Sequence, residues 1–97
     1  MASVRKLKRD IDLIFSSVLS DCFYVLDQNS KVDEKKILKI VENIIEKHRE
    51  LRIRTNHPDG KDNSKMIKKY YKDIASELLE TSDKAYKELS SEIKKVK

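Results

Sequence analysis

One glycine, Gly60, and one proline, Pro58, are all that this 97-residue chain offers for tight backbone reversals, and both fall in the single stretch RTNHPDGKDN at residues 54–63. A sheet protein needs turn residues every 8–12 positions or so, because each hairpin demands unusual φ angles. A chain with one such break must otherwise run in long segments, and long segments without Gly or Pro are helices. Charged residues make up 40% of the sequence, yet the formal net charge is only +5. That balance, together with regularly spaced apolar residues, separates a folded helical domain from a disordered polyelectrolyte. The length allows one modest core, so a single domain over residues 1–97 is expected.

Three amphipathic runs carry the periodicity. The first holds Val4, Leu7, Ile11, Ile14, Val18, Cys22 and Val25, widened by Phe15, Leu19 and Leu26. Steps of three and four place these on one helical face. Ser3 is its expected N-cap, and the run ends in LDQNSKVD, where Ser30 and Asp33 read as a capping pair for the next helix. The second run is Ile37, Val41, Ile44, Ile45, His48, Leu51 and Arg52, with Arg49, Arg52 and Arg54 where a helix C-terminus favours positive charge. Pro58 stops it, and Asp62 or Asn63 can cap the third. That third run, Ile67, Tyr70, Tyr71, Ile74, Leu78, Ala85, Leu89, Ile93 and Val96, is the longest. The pattern predicts an all-α fold, an up-down-up antiparallel three-helix bundle with helices over roughly 3–27, 32–56 and 63–95. A bend near 81–83, at Thr-Ser-Asp, would make a four-helix description equally fair.

The chain offers little machinery for chemistry. Cys22 lies on the apolar stripe, with no His at helical spacing, and reads as a buried inert thiol. His48 and His57 stand nine residues apart with no further ligands in a metal-binding pattern, and His48 falls on the boundary of the stripe. Asp27, Asn29 and Asp33 mimic the start of a calcium loop, but Leu38 occupies the position of the bidentate glutamate. No catalytic residue, cofactor or metal is therefore expected. A lone cysteine fits a reducing compartment, no uninterrupted apolar run is long enough to span a bilayer, and charges follow the basic N-terminus where a signal peptide needs an apolar region. These features predict a cytoplasmic protein with no membrane partner.

Two resemblances attach to the sequence. The opening MASVRKLKRDI, the HPDGKDN turn and the long closing helix resemble a family of short, all-helical bacterial proteins of unknown function, which implies the fold class and supplies no activity. His57-Pro58-Asp59, with Tyr71 and Ile74 behind it and basic residues from Lys47 to Arg54 ahead, resembles the signature of J-domain co-chaperones. That likeness implies a contact role for His57 and Asp59 in stimulating a heat-shock ATPase. It departs from the family ahead of the tripeptide, where Arg49, Arg52 and Ile53 stand in place of the family's Tyr-x-x-Leu-Ala.

An up-down-up bundle gathers the start of the first helix, the end of the second and the start of the third at one pole. Thirteen basic and seven acidic residues belong there, including all five arginines. Arginine forms the bidentate contacts to carboxylate and phosphate that lysine cannot. Arg5, Arg9, Arg49, Arg52, Arg54, Lys61 and Lys65 are thus candidate contacts for an anion or partner, with His57 and Asp59 as candidate turn contacts. Phe23, Tyr24, Ile40, Ile53 and Leu79 lie off the main stripes and are expected to remain exposed. The sequence predicts a non-catalytic interaction module, binding a protein partner or a second copy of itself. Anion or nucleic-acid binding at the basic pole is the alternative, and a J-domain-like co-chaperone a remote one.

Overall fold

The computed structural model describes residues 4–56 and 64–96. The described residues form three helices, α1 (Val4–Gln28), α2 (Glu34–Asn56) and α3 (Ser64–Lys95). Each packs on both others around one apolar cluster. The molecule measures 52 × 19 × 17 Å. Its long axis follows α3, whose 32 residues run about 48 Å at ~1.5 Å per residue.

Ile11, Phe15, Val18 and Cys22 of α1, Ile37, Ile44 and Leu51 of α2, and Ile74 and Leu78 of α3 are all but fully buried. The partly covered Ile14, Leu19, Tyr70, Tyr71 and Tyr86 close the edges of this seam. The expected all-α three-helix bundle is what forms, and α3 passes through Thr81–Asp83 as continuous helix. Ser3, proposed as the first cap, and the HPDG turn lie outside the described residues.

The α1–α2 turn differs in detail from the sequence expectation. Asp33, rather than a Ser30–Asp33 pair, caps α2: its Oδ1 accepts the backbone N–H groups of Lys35 at 3.1 Å and Lys36 at 3.4 Å. Asn29 Oδ1 accepts the N–H of Lys31 and shapes the turn ahead of it. Val32 and Ile37 flank the cap and are both buried in the core, the spacing of a hydrophobic staple. This arrangement starts α2 at Glu34.

Two core expectations are corrected. Ile40 is only 4% exposed and Ile45 is 49% exposed, the reverse of the expected pattern. Successive helical residues are about 100° apart. The buried arc of α2 is centred on Ile37, Ile44, Leu51 and Thr55, which leaves Ile40 about 40° from its middle and Ile45 about 100° away. Ile40 turns toward α3, where it sits beside Lys87 and Glu88. Shortening Ile40 to alanine should therefore cost about 2–5 kcal/mol, and Ile45→Ala should change stability by under about 0.5 kcal/mol. Urea denaturation of the two variants checks this, and equal losses would contradict the placement.

Candidate interaction face

Two polar clusters bridge the helices and pair several of the cations at this end. On the α1–α2 side, Asp12 sits between two α2 side chains. Its Oδ1 is 2.8 Å from His48 Nε2, and its Oδ2 accepts from Arg52 Nη1 at 3.3 Å. The His48 ring also leans on buried Phe15, with centroids 6.0 Å apart, as suits a residue at the boundary of the stripe.

On the α2–α3 side, Glu77 is the hub. It accepts a two-pronged contact from Arg54, Nη1 to Oε1 at 2.9 Å and Nη2 to Oε2 at 2.7 Å, and a third bond from Lys47 Nζ at 2.9 Å. Glu50 lies 3.3 Å from Lys47 and 3.4 Å from Arg54. The bond from Arg54 outweighs partial burial and holds the Glu77 carboxyl down at about 2. The same contact raises the Arg54 pKa. Burial works against the Lys47 ammonium, but its hydrogen bonds to Glu77 and Glu50 prevail and its pKa rises.

Tyrosines complete this cluster. The last four carbonyls of a helix have no partner within it. Here Tyr70 donates its hydroxyl to the Arg54 carbonyl at 2.7 Å, and Tyr71 reaches the Thr55 carbonyl at 3.4 Å. The Arg54 guanidinium lies 5.9 Å from the centre of the Tyr70 ring, within cation–π range. Buried Thr55 turns its own hydroxyl back to the Leu51 carbonyl at 2.6 Å.

The basic pole is thereby divided. Arg52 is paired with Asp12 and Arg54 with Glu77. Arg5, Arg9 and Arg49 are exposed, and none of them forms an ion pair among the described residues. Lys65 is exposed. Lys61, His57 and Asp59 lie outside the described residues, and the J-domain resemblance rests on sequence there.

The outer face of α1 is the more distinctive surface. Leu13 is 61% exposed, Phe23 51% and Tyr24 66%, with exposed Ser16 and Ser20 between them. Residues 13–20, LIFSSVLS, form the longest stretch of this chain without a charged residue. Buried Phe15 and Val18 account for the inner half of that stretch; the outer half is bare of charge as well. The apolar stripes do not point to Leu13. Its signal is the uncharged run itself, in a sequence where two residues in five are charged. Among the other off-stripe residues, Ile53 and Leu79 are exposed as expected.

Elsewhere the surface mixes long charged side chains with the exposed Leu38, Ile45 and Met66. Grooves of about 440 and 340 Å³ between α2 and α3 are floored by Ile40 and edged by Lys36, Lys39, Lys84, Lys87 and Glu88. Glu92 is buried beside the first of these and takes Lys95 Nζ at 3.0 Å. Burial raises the Cys22 thiol pKa, with Asp21 adding to the effect. Among the described residues, no group of three or more His, Cys, Asp or Glu side chains is placed to hold a metal, and no helix is long and apolar enough to cross a membrane. No family model, curated protein or solved structure matches the chain.

The Glu77 hub predicts a specific acid response. A carboxyl depressed from 4.5 to about 2 on folding contributes stability that is complete above the unfolded value and lost as pH falls through the folded one. Glu77→Gln should be less stable than the parent at pH 7. The gap should close between about pH 4.5 and pH 2, where the parent's carboxyl becomes neutral as well. Denaturant midpoints measured across that range check the sign; a gap that persists at pH 2 would count against the hub.

Proposed function

We propose that this protein is a non-catalytic interaction module whose docking surface is the outer face of α1. The single observation that carries the reading is the charge-free exposed strip of Leu13, Ser16 and Ser20, extended by Phe23 and Tyr24. Protein interfaces deplete charge at their centres and concentrate aromatic residues there. A purely solvated helix in so charged a protein has no need of such a strip. Small serines let a second backbone approach, while Leu13 and Tyr24 supply the apolar area. The cytoplasm is the setting this reading assumes, and the single buried thiol is at home in a reducing compartment.

Photocrosslinking in cells tests the surface whatever its partner is. A benzophenone amino acid replacing Leu13 or Ser20 should give adducts of discrete mass, and the same group at Glu46 should give none. A chain that stays uncrosslinked at Leu13 and Ser20, or crosslinks alike at all three, would remove the outer face of α1 from consideration.

A second reading, anion or nucleic-acid binding, is favoured by Arg5, Arg9 and Arg49, which are exposed and have no ion pair among the described residues. Arg5 and Arg9 stand near the N-terminus of α1, where positive charge is mildly unfavourable, by tenths of a kcal/mol each. Three phosphate contacts on a single-stranded oligonucleotide would give a log–log salt slope of about −2. Arg49→Gln should flatten that slope by about 0.7. Fluorescence anisotropy over a salt series decides; a slope indifferent to Arg49 would exclude it from the contact.

A further inference from the structure

The interaction surface proposed above fits a second copy of this chain. We infer that α1 pairs with α1 of another molecule in antiparallel fashion around a two-fold axis near residue 18. This rests on the reading of α1 as the docking face and adds the occupant and its orientation.

The argument comes from the order of residues along the strip. In helical projection, the point of α1 farthest from its core-facing residues is marked, in sequence, by Arg9, Leu13, Ser16, Ser20, Tyr24 and Asp27. All six are exposed. The strip is nearly palindromic in character: the pairs Arg9–Asp27, Leu13–Tyr24 and Ser16–Ser20 share a common midpoint to within half a residue. A two-fold interface places each residue against its mirror position on the partner. Antiparallel pairing therefore sets Ser16 beside Ser20, where backbones come closest, and Leu13 beside Tyr24 on either side. At both ends it sets Arg9 beside Asp27. Parallel pairing would stack Arg9 on Arg9 and Asp27 on Asp27, opposing like charges.

The contact is short. Eighteen residues separate Arg9 from Asp27, about 27 Å of helix at ~1.5 Å per residue. One helix face of that length covers less than the roughly 800 Å² per partner of a standard interface. A contact of that size is at the small end for stable complexes, so the dimer is expected to need high protein concentration to form.

Sedimentation equilibrium of the purified full chain tests the inference. The average mass should climb from 11.4 kDa toward twice that value as concentration rises to about 1 mM. Arg9→Glu and Asp27→Lys should each weaken self-association about tenfold, because each homodimer then holds two like-charged pairs. Mixed together, the two variants should associate with each other as tightly as the parent does with itself, since both end pairs are restored in the heterodimer. Circular dichroism melts verify that both variants remain folded. A parent that stays at monomer mass at 1 mM, or variants whose mixture gains nothing over either alone, would overturn the antiparallel pair. The in-cell crosslinks keep the two ideas separate. Adducts at Ser20 heavier or lighter than a dimer, from a chain that is monomeric in isolation, would leave the docking face standing and discard the second copy as its occupant.

Discussion

The apolar seam shared by the three helices is the constraint from which the rest follows. A chain with 40% charged residues can enclose a core only if the charges are kept to outward arcs and the inward arcs stay narrow. Ile11, Phe15, Ile37, Ile44, Leu51 and Ile74 occupy those inward arcs and are almost fully buried. Side chains of this kind contribute about 1.5–3 kcal/mol each when fully withdrawn from water. The exposed ion pairs around them are worth far less individually. The seam supplies stability, and the polar clusters bridge the helices at its edges.

That division of labour is visible in two carboxylates that form ion pairs across helices. Asp12 gathers His48 and Arg52, and Glu77 gathers Arg54 and Lys47. Asp12 ties α1 to the C-terminal half of α2, and Glu77 ties α3 to the same half from the other side. The tyrosines Tyr70 and Tyr71 then satisfy the carbonyls that α2 leaves open. The end of α2 is thus contacted on two flanks, and Arg52 and Arg54 each have an acidic partner on a neighbouring helix.

Charge is distributed unequally among the helices as a consequence. α2 and α3 are laced with ion pairs within and between themselves. The middle of α1 carries no charge from Leu13 to Ser20 and leaves Leu13 and Tyr24 in solvent. α2 and α3 also expose Leu38, Ile45, Ile53, Met66 and Leu79, set singly among these charges.

The spacing of apolar residues and the scarcity of Gly and Pro determined three helices, their approximate ends and most of the core, because helical periodicity is a local property readable one segment at a time. The exposure of Phe23 and Tyr24 was legible for the same reason. Local pattern could not decide between Ile40 and Ile45, since that choice depends on which flank of α2 faces a neighbour. Nor could it separate Arg52 and Arg54 from Arg5, Arg9 and Arg49. All five stand at one pole in sequence terms, and only the rotation of α2 against α1 and α3 brought Asp12 and Glu77 within bonding distance of two of them. Which charges are paired, and which face is left over, are properties of helices packed together, and tertiary structure alone decided them.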